Sequence, residues 1–189
     1  MACGNEEIDF DPDSDFDPEE RKPRQTILTS FRQETSRKRE TMAFRSAHKI
    51  RFGDIDRAGI VYYPRFLHYF HIALEEFFGY GLGIDYPTVV NAHRIGLPTV
   101  HLETDFFKPL RYGDEIEIEV RVLKIGKTAI TFGYRVFRQN ETEPRVSGHN
   151  VTVCLNMDTF EKRLIPDWLE DRLRKSDSLR IDTTCRRQG

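Results

Sequence analysis

The hydrophobic pattern of this chain changes its period once, and that change limits the fold more than any other feature. Between residues 64 and 81 apolar side chains recur every three to four positions, which is the spacing of one helix face. This stripe consists of Phe66, Phe70, Ala73 and Phe77. After residue 99 apolar side chains recur at every second position, as in strands with one buried and one polar face. The order predicts an α+β chain, in which a curved antiparallel sheet wraps around a long central helix.

The helix has recognisable ends in the sequence. Pro64 stands at its first turn, and Gly79 and Gly81 follow its last apolar residues, as expected for a helix start and stop. A second apolar stripe is formed by Leu67, Leu74 and Phe78. Two stripes leave little polar face, which predicts a helix that is buried on most sides.

Short polar turns separate the predicted strands. The alternating runs are residues 100–106, 116–122, 130–136 and 151–155. Each is expected to bury its apolar side. A further strand is predicted before the helix, at His48–Phe52, and short helices at residues 87–93 and 165–174.

Composition excludes several classes of protein. The 189 residues include 29 Lys and Arg and 31 Asp and Glu, giving a net charge of −2, whereas nucleic-acid-binding domains are usually basic. No apolar run approaches the roughly 20 residues of a membrane span. Cys3, Cys154 and Cys185 are too widely spaced for a zinc ribbon or a dense disulfide framework. They favour a reducing compartment, and we predict a cytoplasmic location.

Charge is distributed unevenly before the predicted domain. Residues 1–20 contain nine acidic and no basic side chains, and residues 21–41 contain seven basic side chains. Without apolar periodicity, residues 1–44 are predicted to be a disordered charged tail. The domain is predicted at 45–175, followed by a flexible tail at 176–189. The first segment is interpreted as a solvated leader, with a partner-binding arm and a translation start at Met42 as alternatives.

The polar loop before the helix is the strongest candidate for chemistry. It reads GDIDRAGIVYYP over residues 53–64. A carboxylate beside a helix start can act as base or nucleophile, while free N–H groups stabilise a developing oxyanion. The alternative is that Asp54 and Asp56 only shape a turn.

The segment RFGDIDRAGIVYYP closely resembles the signature of the 4-hydroxybenzoyl-CoA thioesterase family. The resemblance implies a hotdog fold and an acyl-CoA thioesterase with Asp56 as the catalytic carboxylate. It implies that the backbone N–H of Tyr63 polarises the thioester carbonyl and that Gly59 allows a tight turn. It also implies a homodimer or a homotetramer with the pocket between protomers.

The resemblance extends less specifically to the substrate. The turn from Lys124 to Thr128, including Lys127, resembles a basic turn that meets the phosphates of coenzyme A, although an ordinary solvated turn is an equal alternative. His71 stands where one branch of the family has an acidic residue that meets a phenol. The substrate predicted here is therefore an acyl-CoA of unspecified acyl group.

No cofactor and no metal are predicted. His68, His71 and Glu75 share one helix face, but no second helix offers a matching set of ligands. Two alternative functions on the same fold remain. One is a non-catalytic acyl-CoA or acyl-carrier binding protein, because fold does not determine function. The other is a dehydratase that uses His68 or His71 with an acid.

Overall fold

A five-stranded antiparallel sheet and one long helix form the framework of the protein. The computed structural model describes residues 43–176. The strands are β1 (Phe44–Lys49), β2 (Ile95–Gly96), β3 (Thr99–Phe106), β4 (Glu115–Ile125), β5 (Ala129–Arg138), β6 (Val146–Val153) and β7 (Leu155–Asn156). The helices are α1 (Pro64–Glu76) and α2 (Asp167–Ser176). The large sheet has the order β1-β4-β5-β6-β3, and β2 pairs with β7.

Helix α1 packs on one face of the sheet through aromatic side chains. The ring of Phe70 stacks on Tyr134 of β5 with 4.5 Å between centroids, and Phe66 contacts Phe106 of β3 at 5.5 Å. We call the face of the sheet that meets α1 the inner face and the opposite face the outer face. The helix continues beyond Glu76 as a π-helical turn, Phe77–Gly81, in agreement with the predicted end.

Helix α1 is less enclosed than its two apolar stripes predict. Leu67, His68, His71 and Glu75 are exposed. The stripe on Phe66, Phe70, Ala73 and Phe77 is buried as expected. The prediction of burial on most sides was wrong because the sheet covers one side of the helix and leaves the face with Leu67 uncovered.

The first strand begins and ends earlier than predicted. Strand β1 pairs with β4 from Phe44 to Lys49, and the predicted strand His48–Phe52 instead leads into a 3₁₀ turn at Phe52–Asp54. The Arg51 N–H donates to the Asp54 carboxylate at 2.7 Å, which turns the chain away from the sheet. Phe52 is 81% exposed, so its apolar character misled the prediction.

Strand β3 does not bury its apolar face. It is an edge strand that pairs only with β6 in the sheet, and Val100 and Phe106 are 62% and 51% exposed. In β4, by contrast, the alternating residues Ile116 and Ile118 are almost fully buried. The prediction of a buried face was wrong for β3 because a strand at the edge of a sheet lacks a neighbour on one side.

The chain termini lie partly outside the described residues. Residues 1–42 of the predicted tail at 1–44 lie outside the described residues, whereas Phe44 is already part of β1. Ser176 is the last residue of α2, and residues 177–189 lie outside the described part. Of the helices described, none is long and apolar enough to cross a membrane.

Candidate functional site

The loop before α1 folds back on itself through backbone hydrogen bonds. Ile55 and Val61 form an isolated antiparallel bridge, and the Tyr62 N–H donates to the Asp54 carbonyl oxygen at 2.8 Å. The Val61 N–H donates to the Leu110 carbonyl oxygen at 2.9 Å. This narrow loop brings its two aspartates next to the start of α1, on two different sides of the chain.

Asp54 is a buried, fully engaged carboxylate. Its Oδ2 accepts hydrogen bonds from the Tyr69 hydroxyl at 2.7 Å and from the Arg51 N–H at 2.7 Å. Its Oδ1 lies 3.5 Å from Nε of Arg65. Burial, followed by the hydrogen bond to Asp54, raises the pKa of the Tyr69 hydroxyl far above its usual value, which keeps this hydroxyl a donor. These contacts give Asp54 a role in holding the loop on α1.

Asp56 lies nearer the tip of the same loop and is only half-buried. Its Oδ1 accepts the Ala58 N–H at 2.8 Å, an arrangement in which an Asp side chain closes a turn. Among the described residues no donor engages Oδ2. The Gly59 N–H donates to the Asp56 carbonyl oxygen at 3.0 Å, and Gly59 has φ +76°. This left-handed conformation, rather than a lack of space, accounts for a glycine at that position.

Tyr63 caps the start of α1. The Pro64 ring occupies the first helical position, where the missing N–H costs nothing. The backbone carbonyl oxygens of Tyr62 and Tyr63 accept the N–H groups of Arg65 and Phe66 at 2.8 and 3.1 Å. In the described part of the chain no acceptor engages the Tyr63 N–H itself. An N–H at a helix start, with the positive end of the helix dipole, suits a ligand oxygen that carries partial negative charge.

A groove of about 620 Å³ runs along this loop. Asp56, Tyr62, Pro64 and His68 are among its lining residues. His68 stands one helical turn after Pro64, which brings its imidazole to the same side of α1. The sequence analysis grouped His68 with His71 on one helix face and as alternative dehydratase residues, and the structure shows that His68, and not His71, lines the groove.

A second cavity of about 620 Å³ lies on the side of Asp54 and shares Arg65 and His68 with the groove. Its lining includes His48, whose pKa is lowered by burial and partly restored by Glu76. The Ser46 hydroxyl contacts both His48 and Glu76. Sequence reasoning missed this polar cluster because its members come from β1 and α1, and only packing brings them together.

His71 does not reach the groove. Its Nε2 lies 3.0 Å from the Glu75 carboxylate, and its ring meets the Tyr86 ring edge-on at 5.8 Å. His71 is not among the residues that line the groove, and its side chain instead contacts Glu75 and Tyr86. The predicted substrate contact of His71 therefore stays a prediction that a single chain does not support.

The basic turn also lies apart from the groove in a single chain. Lys124 and Lys127 are exposed at the connection between β4 and β5, and Thr128 is half-buried. Backbone hydrogen bonds hold the turn, from Cys154 N–H to the Thr128 oxygen at 2.7 Å and from Ile165 N–H to the Lys127 oxygen at 2.9 Å. None of the three predicted coenzyme contacts lines the groove beside Asp56.

His68, His71 and Glu75, which the sequence analysis considered as metal ligands and did not predict as a site, are not grouped by converging ligand atoms in the described part of the chain. Within residues 43–176, the one cluster of three metal-binding side chains with converging ligand atoms lies on the sheet, on His101, Glu103 and His149. The groove offers the carboxylate of Asp56 and the imidazole of His68, and the Tyr63 N–H at the start of α1 precedes the lining residue Pro64. Such a set can activate water or attack a carbonyl, and can stabilise the charge that develops on its oxygen.

Comparison with known proteins places this site in a family. A family model described as the Thioesterase-like superfamily matches residues 50–173. The chain is 32% identical over 125 residues to a 1,4-dihydroxy-2-naphthoyl-CoA hydrolase of Synechococcus elongatus, covering 66% of this chain and 90% of that protein. A protein of the same description from Picosynechococcus is 28% identical over 142 residues, covering 73% of this chain and 97% of the relative.

Solved structures show the same fold at lower identity. The crystal structure of a 1,4-dihydroxy-2-naphthoyl-CoA thioesterase from Synechocystis has a TM-score of 0.64 at 20% identity, covering 70% of this chain and 96% of that chain. A gentisyl-coenzyme A thioesterase has a TM-score of 0.61 at 24% identity, with coverages of 67% and 99%. These neighbours confirm the predicted hotdog fold.

The family match, the named relatives and the loop at the start of α1 agree with one another. The matched residues include the whole of that loop and the helix that it precedes. The predicted class of enzyme, a thioesterase, is confirmed, whereas the narrower 4-hydroxybenzoyl-CoA thioesterase family is not. This chain belongs to the thioesterase-like superfamily.

Proposed function

We propose that the protein hydrolyses an acyl-CoA thioester to the free acid and coenzyme A, with Asp56 as the reacting carboxylate. The observation that carries this proposal is the free Oδ2 of Asp56 in an open groove beside the start of α1. Asp54, which holds the loop on α1, is by contrast buried and engaged on both oxygens.

The groove supplies two groups that thioester hydrolysis needs. Asp56 either removes a proton from an attacking water or attacks the carbonyl carbon itself. As the tetrahedral intermediate forms, the carbonyl oxygen gains negative charge, and we propose that the Tyr63 N–H at the helix start donates to it. Collapse of that intermediate breaks the carbon–sulfur bond and releases the thiolate of coenzyme A, which takes up a proton. Where water is the attacking group, this step gives the free acid. Where Asp56 is the attacking group, it gives an acyl–Asp56 anhydride, which water then hydrolyses to the free acid and the Asp56 carboxylate.

We propose an aromatic acyl group with hydroxyl substituents as the first substrate class to test. The named relatives act on 1,4-dihydroxy-2-naphthoyl-CoA, and a structural neighbour acts on gentisyl-CoA. His68 and Tyr62 line the groove, and both side chains can accept or donate a hydrogen bond to a phenol. A cytoplasmic location stays a prediction.

We propose further that the active protein is at least a homodimer paired along β3. Among residues 43–176 of a single chain no strand pairs with either edge of the sheet, but β1 is short and has Arg45 and Lys49 along it, which discourages edge pairing. Strand β3 is eight residues long and exposes apolar side chains. These are Val100, Leu102 and Phe106, followed by Phe107.

The assembly prediction is tested by replacing Leu102 with Lys. A charge on the exposed apolar side of β3 is expected to shift the protein from dimer to monomer, measured by sedimentation or light scattering. The matched control is Leu123→Lys, another exposed leucine, which lies on the β4–β5 hairpin. A wild-type monomer with full activity would contradict the dimer proposal.

A dimer would also allow the basic turn of one chain to reach the groove of the other. Because Lys124 and Lys127 do not line the groove of their own chain, we propose that they meet the coenzyme phosphates at the partner's groove. Lys127→Gln is expected to raise KM with little change in kcat, since phosphate contacts contribute equally to ground and transition states. An unchanged KM in a Lys124→Gln/Lys127→Gln double variant would contradict this role.

The activity itself is tested by a thiol-release screen. The panel includes 1,4-dihydroxy-2-naphthoyl-CoA, gentisyl-CoA, 4-hydroxybenzoyl-CoA and straight-chain acyl-CoAs, with the Asp56→Asn protein as the comparison. We expect turnover of at least one aromatic thioester that Asp56→Asn loses. Binding of acyl-CoAs without turnover of any would favour the non-catalytic binding protein.

A further inference from the structure

Three metal-binding side chains meet on the outer face of the sheet, away from the catalytic groove. They are His101 and Glu103 of β3 and His149 of β6. One ligand atom of each residue lies within 4.8 Å of the ligand atoms of the other two. No other group of three or more His, Cys, Asp or Glu side chains converges in this way within the described residues.

The ladder between β3 and β6 places the three side chains. Glu103 is paired directly with His149, and His101 is paired with Val151. His101 and Glu103 are two residues apart on one strand and therefore point to the same face. That face is the outer one, because the neighbouring residues Phe106 and Gly148 face α1. The positions of the three Cβ atoms are thus set by backbone hydrogen bonds.

All three side chains are available to a ligand. In the described part of the chain no hydrogen bond or ion pair engages them, and the only contact recorded is between the two imidazole rings, at 5.7 Å between centroids. Another carboxylate of the same face, Glu119 of β4, is buried and bound by Arg45, Arg121 and Arg135. Three arginines therefore balance the negative charge of Glu119, whereas no ion pair involves Glu103 within residues 43–176.

We propose that His101, Glu103 and His149 form a binding site for a divalent transition-metal ion, zinc in the first instance. Two imidazole nitrogens and one carboxylate oxygen are a zinc ligand set, with water in the fourth position. Magnesium and calcium prefer sites made of oxygen atoms alone. Tetrahedral zinc with bonds of about 2.0–2.1 Å needs ligand atoms about 3.3 Å apart. Since the ligand atoms lie within 4.8 Å of one another, side-chain movements of at most about 1.5 Å bring them to that spacing.

The ion would join the edge strand to the rest of the sheet. Within the described residues β6 is the one strand that pairs with β3 in the sheet, and an ion shared by both strands adds a cross-link between them. A ligand that binds only the folded state raises the stability of that state. The three side chains stand on the outer face, so pairing of the free backbone edge of β3 with another chain leaves them accessible.

The test is metal binding to the full-length, tag-free protein after removal of metal by a chelator. Zinc is titrated against a competing chromophoric chelator, and cobalt(II) is used to report coordination geometry by its visible absorption. We expect one zinc site per chain with a tetrahedral cobalt spectrum, and a higher melting temperature with zinc present. Glu103→Gln and His149→Ala should each weaken zinc binding at least tenfold.

Asp105→Asn is the matched control. Asp105 stands two residues after Glu103 on the same strand and face, and it is not part of the cluster. The Asp105→Asn substitution removes one negative charge from the outer face but no zinc ligand, so zinc affinity should stay within twofold of wild type. Glu103→Gln is nearly isosteric and exposed, which keeps the test valid if His149→Ala lowers stability.

Two results would overturn the proposal. One is the absence of zinc binding by the wild-type protein at metal concentrations up to about 100 μM. The other is wild-type zinc affinity in a His101→Ala/His149→Ala double variant, since the ion would then occupy other residues of the chain.

Discussion

The two aspartates of the loop before α1 are two residues apart and have opposite surroundings. Asp54 is buried against α1, where the Tyr69 hydroxyl and the Arg51 N–H occupy its Oδ2. Asp56 faces the groove with one oxygen bound to the Ala58 N–H and the other without a donor among the described residues. The same residue type therefore anchors the loop at one position and remains available for chemistry at the other.

The difference follows from the path of the loop rather than from the residues. The 3₁₀ turn directs Asp54 inward towards Tyr69, and the tight turn at Gly59 keeps Asp56 at the surface. A carboxylate with its hydrogen bonds satisfied by the protein stabilises the fold. A carboxylate with a free oxygen in a groove can exchange a proton or a bond with a ligand. Two substitutions test this distinction, and a pH dependence tests the cavity on the Asp54 side.

The largest effect is expected from Asp56→Asn. The change keeps size and the hydrogen bond to Ala58 but removes the base or nucleophile, so kcat should fall by about 10²–10⁴-fold, or roughly 3–5 kcal/mol of barrier. Substrate Kd and melting temperature should change little. Asp171→Asn, an exposed carboxylate of α2, is the matched control. Wild-type turnover in Asp56→Asn would show that another group does the chemistry.

Asp54→Asn should act on stability instead. The amide can keep one acceptor oxygen but leaves part of the buried network unsatisfied, so the free energy of unfolding should fall by about 1–3 kcal/mol. Urea unfolding measures this loss, and kcat of the folded fraction should change less than in Asp56→Asn. Combining Asp54→Asn with Tyr69→Phe in a double-mutant cycle isolates the hydrogen bond between them. Additive losses would contradict a direct coupling.

The smallest effect is expected when the pH is lowered and stability changes through His48, which lines the cavity on the Asp54 side. Burial lowers the pKa of His48 below its ordinary value of 6.5, and the nearby Glu76 partly opposes this. The folded state then binds the proton more weakly than the unfolded state, so stability is retained above pH 6.5 and lost as pH falls towards the lowered pKa.

The measurement is the melting temperature between about pH 7.5 and pH 5.5. It should fall further in wild type than in His48→Gln, which cannot take up the proton. Equal losses in both proteins would show that His48 does not contribute to acid destabilisation. The Asp56 groove offers a comparison, since His68→Gln should leave this pH dependence unchanged.

Much of the framework could be predicted from local pattern. The Pro64 helix start and the strands β4 and β5 agree with their periodicity, because each alternating residue there meets α1 or a neighbouring strand. The same pattern failed at β3, where Val100, Leu102 and Phe106 stay exposed because little of the described chain packs against them, although the Phe106 ring contacts Phe66. Periodicity states which residues share a face, whereas burial depends on what the rest of the molecule places against that face.

The candidate site, too, could be predicted from local sequence only in part. Asp56, Gly59 and Tyr63 lie within eight residues of one another and precede one helix, so sequence could group them. Packing decided the other features. It brings Asp54 to the Tyr69 hydroxyl and His68 into the groove, and it keeps the basic turn away from the groove. The roles of Lys124, Lys127, Thr128 and His71 stay predictions.

The sequence by itself determined the order of helix and strands, the turn at Gly59 and the placing of a carboxylate beside a helix start. These features depend on interactions between residues close in the chain, whose geometry is set by backbone sterics and local hydrogen bonds. Only the tertiary structure decided which aspartate is buried, which edge of the sheet stays open and which side chains of β3 and β6 converge. Those outcomes join residues far apart in sequence, and their energies depend on contacts that form only when the sheet and α1 pack together.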